Sequence, residues 1–178
     1  METANNNRIW GLAIAAFIFV MDQFVKFLVT GPLGLNELGA NMQLLPFFDL
    51  TFAKNYGVSM GLLTADSEWQ RWLLVALTGV IACVVLVWMW REKERGDIWA
   101  LALVLGGALG NIVDRARLGY VVDYADFHIG DFRPFLIFNV ADAAITIGVV
   151  ILLARVLFIG EKDKESAGAE NKLENENA

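Results

Sequence analysis

Histidine and cysteine are nearly missing from this chain, one of each, and their scarcity removes whole classes of chemistry. Cys83 alone permits neither an internal disulfide nor a multi-cysteine metal site, and in its apolar run it reads as a small buried hydrophobe. His128 alone cannot furnish an H-E-x-x-H pair, so no metal and no cofactor is expected. Charge is sparse as well, at 19% of residues. Half of the formal charge of −6 comes from one tail, Glu161 to Ala178, with six acids against three lysines. Net charge therefore says little about partners, and nothing points to nucleic acid. No internal repeat is apparent.

What fills the chain is apolar. Hydrophobic residues make up 57% and the mean hydropathy is +0.51, against about 45–50% apolar in a soluble domain. Four stretches approach the roughly 20 apolar residues that cross a bilayer: Ile9 to Val29, Trp72 to Trp90, Ile98 to Val113 and Phe135 to Ile159. With flanks they predict helices over 9–29, 70–91, 97–116 and 136–159 of an all-α membrane bundle. The first has a signal-peptide-like start at Arg8, but no small-x-small cleavage site follows and the run continues through Asp22, Gln23 and Lys26, so it is read as a retained helix. Arg91, Lys93 and Arg95 crowd the link between helices two and three, Arg8 precedes helix one, and Lys162 and Lys164 follow helix four. That bias places both termini in the cytoplasm. Arg115, Arg117 and Arg133 lie on the other side and ask for a different reason.

Two connections are expected at the outer face. In 40–64, Phe48, Leu50 and Phe52 alternate with Asp49, Thr51 and Ala53, the period of a half-buried strand, which predicts a small β-cradle. In 118–134, aromatic residues mix with Asp123 and Asp126, a composition suited to an interfacial segment with one wet face. Residues 1–160 thus form one membrane domain. Residues 161–178, without periodicity, are expected to be a disordered cytoplasmic tail.

Depth organises the polar residues. Asp22 and Lys26 come late in the outward-running first helix; Asn111, Asp114 and Arg115 end the outward-running third; Asn139 and Asp142 begin the inward-running fourth. All fall in the outer third of the bilayer. A charge at the bilayer centre costs at least about 2.5–3.5 kcal/mol on insertion scales, so this gathering implies one shared, partly hydrated pocket. Asp22 and Lys26 form an i,i+4 pair with the acid first. Asn111, Asp114 and Arg115 share a stripe, as do Asn139 and Asp142. Structural pairing is the simpler role for Asp22, Lys26, Asp114 and Arg115, with Arg115 serving a carboxylate. Asp142 has no basic residue within a turn, and Asp123 lies in the connection that folds back over the pocket. Two carboxylates in a low-dielectric site share a proton, which suits the acid–base hydrolysis of an amide. Spacing leaves other aspartate pairs in competition.

Two other chemistries fit less well. Gly57 to Gly61 matches the G-x-S-x-G elbow around Ser59, but the next helix begins only near Trp69, so the strand–turn–helix context is missing. A small proton-coupled four-helix transporter would spread polar groups through the bundle; helix two offers only Thr78 and Gly79.

Four blocks carry a resemblance: Asp22-Gln23-Phe24-Val25-Lys26; Asn55-Tyr56-Gly57-Val58-Ser59-Met60-Gly61; Gly106 to Arg115, continuing to Val121-Val122-Asp123-Tyr124; and Phe138-Asn139-Val140-Ala141-Asp142. The chain resembles lipoprotein signal peptidase, or signal peptidase II, a family of aspartic peptidases of bacterial inner membranes. The resemblance implies that Asp123 and Asp142 are the catalytic dyad. It implies that Asp22, Lys26, Asn55, Gly107, Asn111, Asp114, Arg115 and Asn139 support the site or hold substrate. It further implies cleavage of diacylglyceryl-modified prolipoproteins before the lipidated cysteine at the outer face, with 118–134 as the family's lid-like interfacial helix; a monomer among membrane phospholipids is expected. Val58, Ser59 and Met60 depart from the family's usual small-then-aromatic pattern, so substrate-loop packing is expected to differ.

Overall fold

A computed structural model describes residues 2–57, 68–130 and 132–176. The elements run α1 (Glu2–Thr30), β1 (Asn41–Leu45), β2 (Phe48–Asn55), α2 (Glu68–Arg91), α3 (Arg95–Leu118), β3 (Val121–Phe127) and α4 (Val140–Glu176). Each of the four helices contains a segment long and apolar enough to cross a membrane: Asn6–Thr30, Glu68–Arg91, Arg95–Leu118 and Val140–Phe158. The departure at Val58, Ser59 and Met60 lies outside the described residues.

α3 is the central helix. Half of its most apolar window is buried in the protein, against 11% for α2, whose leucines, valines and tryptophans face outward as a lipid-exposed surface. Apolar surface gains nothing by leaving lipid for protein, so helices associate here through close backbone approach and polar contacts. Glycine makes that approach possible. A Cβ on Gly107 would run into the Ala141 carbonyl of α4, and one on Gly110 would strike the Asp22 carboxylate of α1. Gly107 thus acts by bringing α4 against α3. Cys83 is exposed on α2 rather than buried, because α2 buries little except Ala82 and Met89.

The sheet has the order β1-β2-β3, all antiparallel. The alternation expected for β2 is present, with Leu50 and Phe52 buried beside Val29, Val122 and Tyr124. An irregularity between the pairs Leu50↔Ala125 and Ala53↔Asp123 gives β2 one residue more than β3. Such a bulge changes which side chains share a face on either side of it. Asp126 pairs with Asp49 and accepts from Thr51 in one polar cluster, while Asp123, three residues earlier in β3, points to the other face.

Three expectations need correction. Among the described residues of 119–134 there is no helix: Val121–Phe127 is a strand, followed by an isolated bridge between Ile129 and Phe132. β-Branched and aromatic residues suit a strand, and the second edge of β2 supplies the partner. α4 begins at Val140 rather than near 136, since Phe138 is extended and bridged to Ala125, leaving Asn139 as the N-cap. Finally, α4 continues helically to Glu176 where a disordered tail was expected. Ala, Glu, Lys and Leu are good helix formers, and no proline interrupts them.

Candidate active site

Lys26 stands at the hub of a buried network. Its ammonium lies 2.8 Å from Asp22 Oδ2, 2.8 Å from Asp114 Oδ2 and 3.2 Å from Asn111 Oδ1. Three N–H donors meet three acceptors. One cation faces two carboxylates, so the remaining negative charge depends on hydrogen bonds. Gln23 Nε2 donates to Asp114 Oδ1 at 2.9 Å, and the Val122 N–H donates to Asp114 Oδ2 at 3.1 Å. The Ala141 N–H donates to Asp22 Oδ1 at 3.0 Å. The helical i,i+4 spacing thus places Asp22 and Lys26 together as expected, and the network clamps α1, α3, β3 and the start of α4.

The start of α4 carries its own device. Asn139 Oδ1 accepts the Asp142 N–H at 2.9 Å, while Asp142 Oδ2 accepts the Asn139 N–H at 3.3 Å. This is a reciprocal capping box, in which residues three apart satisfy two helix-end donors. With Asp22 on the Ala141 N–H, two carboxylates sit at the positive end of the α4 dipole. Asn139 and Asp142 therefore share a cap, not a helix face.

Asn139 also ties in Asp123. Its Nδ2 donates to Asp123 Oδ1 at 2.6 Å and lies 3.2 Å from the Val122 carbonyl. Asn111 Nδ2 donates to Asp142 Oδ1 at 2.8 Å. The two carboxylates thus hang from one pair of asparagines, and among the described residues no hydrogen bond joins them directly. Asp123 is buried at the end of the sheet. Burial first, and then the charge of Asp142, push its carboxyl up to about 6; hydrogen bonding from Asn55 and Asn139 and the charge of Lys26 pull the other way.

An apolar groove of about 450 Å³ runs up to Asp142 between α4 and the chain that precedes it. Phe127, Phe135, Leu136, Phe138 and Ile147 line it, and among the described residues Asp142 is its one charged group.

The other expected residues divide. Asn55 ends β2, where its Oδ1 accepts the Gly57 N–H at 2.8 Å in an Asx turn. Among the described residues Arg115 makes no direct ion pair, though its charge faces Asp142, Asp123 and Asp114. Lys26 takes Asp114, and the Arg115 guanidinium lies instead beside Gly57, with its Nε buried and unbonded. His128 sits 3.4 Å from Asp49, in the cluster on the other face of the sheet. Two contributors went unanticipated. Gln23 was hidden because an amide in an apolar run carries no charge signal. Arg71 of α2 donates from Nε to the Arg115 carbonyl at 2.8 Å and from Nη2 to the Ala116 carbonyl, capping the C-terminus of α3. Cations favour that end of a helix, but nothing local to Arg71 marks its partner.

A family model described as signal peptidase (SPase) II matches residues 14–158. The chain belongs to the signal peptidase II family. It is 58% identical over 153 residues to a lipoprotein signal peptidase of Sphingopyxis alaskensis, covering 86% of this chain and 88% of that one. A second from Rhizorhabdus wittichii is 56% identical over 151 residues, covering 85% and 87%. Two solved structures of bacterial membrane enzymes superpose with TM-scores of 0.70 and 0.71 at 28% identity. They cover 83% of this chain and 87% and 92% of their own chains. As a signal peptidase II the chain is a membrane-bound protease of aspartic type, and the transporter alternative is not favoured.

Proposed function

We propose that Asp123 and Asp142 form the catalytic dyad and remove the signal peptide of diacylglyceryl-modified prolipoproteins before the lipidated cysteine. The observation that carries this reading is Asn139, which bonds both carboxylates at the head of the apolar groove. Both Asp142 oxygens accept N–H bonds, which orients the carboxylate as the base that takes a proton from water. Asp123, raised to about 6, holds the proton it gives to the scissile carbonyl oxygen. Water's oxygen bonds to the carbonyl carbon, forming a gem-diol. The proton on Asp142 then passes to the peptide nitrogen, the C–N bond breaks, and a gem-diol proton returns to Asp123. The products are a signal peptide with a new carboxylate and a lipidated cysteine with a free amine.

The supporting residues divide the remaining work. Asp22, Lys26, Asp114 and Gly107 hold helices in register; Asn111 and Asn139 orient the dyad; Asn55 shapes the turn beside Arg115. Arg115, its guanidinium packed against Gly57 with Nε buried, holds that turn against α3. The apolar groove receives the hydrophobic stretch of the signal peptide from the bilayer. The enzyme works as a monomer in the bacterial inner membrane, its termini cytoplasmic and its site near the outer face. Arg91, Lys93 and Arg95 on the α2–α3 connection support that orientation.

The test is a reconstituted assay with one purified precursor, with and without its diacylglyceryl group. Release of a free signal peptide from the lipidated form alone is the expected result. Proton-driven flux without cleavage, or equal cleavage of the unlipidated form, overturns the reading.

A further inference from the structure

The end of the bundle opposite the dyad holds a second cavity, of about 320 Å³. Its walls are Asn6, Asn7 and Trp10 from α1 and Arg95 and Trp99 from α3. Asn6 with Trp10, and Arg95 with Trp99, are each four residues apart on a helix. Each helix therefore presents a polar residue at its end and an indole one turn further in. Arg95 Nε donates to Asn7 Oδ1 at 2.9 Å, which joins the two helices across the cavity. Among the described residues that is the only hydrogen bond the guanidinium makes, so both terminal nitrogens are left over.

Depth and charge say what fits. Trp10 and Trp99 are half exposed, as are Trp88 and Trp90 at the same end. Tryptophans at one level mark the headgroup zone of a bilayer. Arg8, 5.6 Å from the centre of the Trp90 ring, adds a second cation at that level. Of the acids close by, Asp97 binds Arg155 at 2.5 Å and Glu92 accepts the backbone N–H groups of Lys93 and Glu94, while the exposed Glu94 is not among the residues that line the cavity. Among the described residues no carboxylate lines the cavity, and so none there would pair with a headgroup ammonium.

We infer that this cavity binds the headgroup of an anionic phospholipid from the leaflet opposite the dyad. The phosphodiester accepts from the Arg95 terminal nitrogens and an asparagine amide, and its acyl chains run inward past Trp10 and Trp99. A planar guanidinium suits two phosphate oxygens at once. The inference does not depend on which carboxylates cut the substrate.

Native mass spectrometry of the full chain in detergent, titrated with phosphatidylglycerol, phosphatidylcholine or glycerol phosphate, tests it. Phosphatidylglycerol should be retained about fivefold more strongly than phosphatidylcholine, the scale of one arginine at an anionic membrane surface. Arg95→Gln should remove that preference. Asn7→Asp, which ties the guanidinium to an internal carboxylate, should remove it too and serves if Arg95→Gln does not fold. Equal retention of the two lipids, a preference surviving in the folded variants, or glycerol phosphate competing as well as the lipid would overturn the inference. The last result would mean a phosphate site without lipid.

Discussion

Asp123 is the residue whose environment is most at odds with its charge. Its carboxyl rises from an ordinary 3.8 to about 6, so the folded protein holds a proton that the unfolded chain has already lost over that interval. Folding stability therefore falls as pH rises between those values, by about 3 kcal/mol for a shift of roughly two units. Asp123→Asn keeps the shape and removes the titration. It should raise the melting temperature at pH 8 and leave it nearly unchanged at pH 4, as read by thermal scans in detergent. The same titration predicts an alkaline limb near pH 6 in the rate of precursor cleavage, where the proton donor is lost. Lys26 has the opposite character, since its two acids are satisfied only with it in place. Lys26→Met should destabilise the protein by about 3–5 kcal/mol, the scale of a broken buried pair, measured by chemical unfolding in micelles.

At the scale of elements, what was readable in the chain divides by the range of the interaction. Asp22 and Lys26 were legible as a pair because a helix fixes their separation, and β2 was legible from its alternating Leu50 and Phe52. β3 was not: Val121–Phe127 takes its strand form from pairing with β2, 66 to 79 residues earlier, so its mixture of aromatic and acidic residues reads equally as an interfacial helix. Arg71 and Gln23 were missed for the same reason, since their partners lie on other helices. The start of α4 was misplaced because Asn139 and Asp142, three apart, suit either a helix face or a capping box. The box yields a prediction of its own. Asn139→Ala should cost about 1 kcal/mol of stability as a lost cap, yet lower cleavage far more than that figure converts to, because it also releases Asp123. Gly107→Val should act through packing instead, reducing folded yield, since its side chain meets the Ala141 carbonyl.

Across the whole molecule the two ends of the bundle are built differently. One end gathers buried carboxylates, asparagines and a lysine between α1, α3, α4 and β3; the other ends in half-exposed tryptophans and arginines around an open cavity. Charges are expensive in lipid, so their concentration at one end is what a hydrolytic site needs and what a bare scaffold does not. The cluster of Asp49, Asp126, His128 and Arg133 lies on the other face of the sheet, where Arg133 Nε reaches Asp126 Oδ1 at 3.1 Å. It fastens the segment after β3 to the strands and leaves Asp123 to the pocket. The central claim is that Asp123 and Asp142 together perform the hydrolysis. Single-turnover cleavage of a diacylglyceryl precursor by Asp123→Asn and by Asp142→Asn, each shown to be folded by its melting transition, measures it most directly. Loss of cleavage by at least about a thousandfold in both is the predicted result. Near-normal turnover by either folded variant would contradict the account.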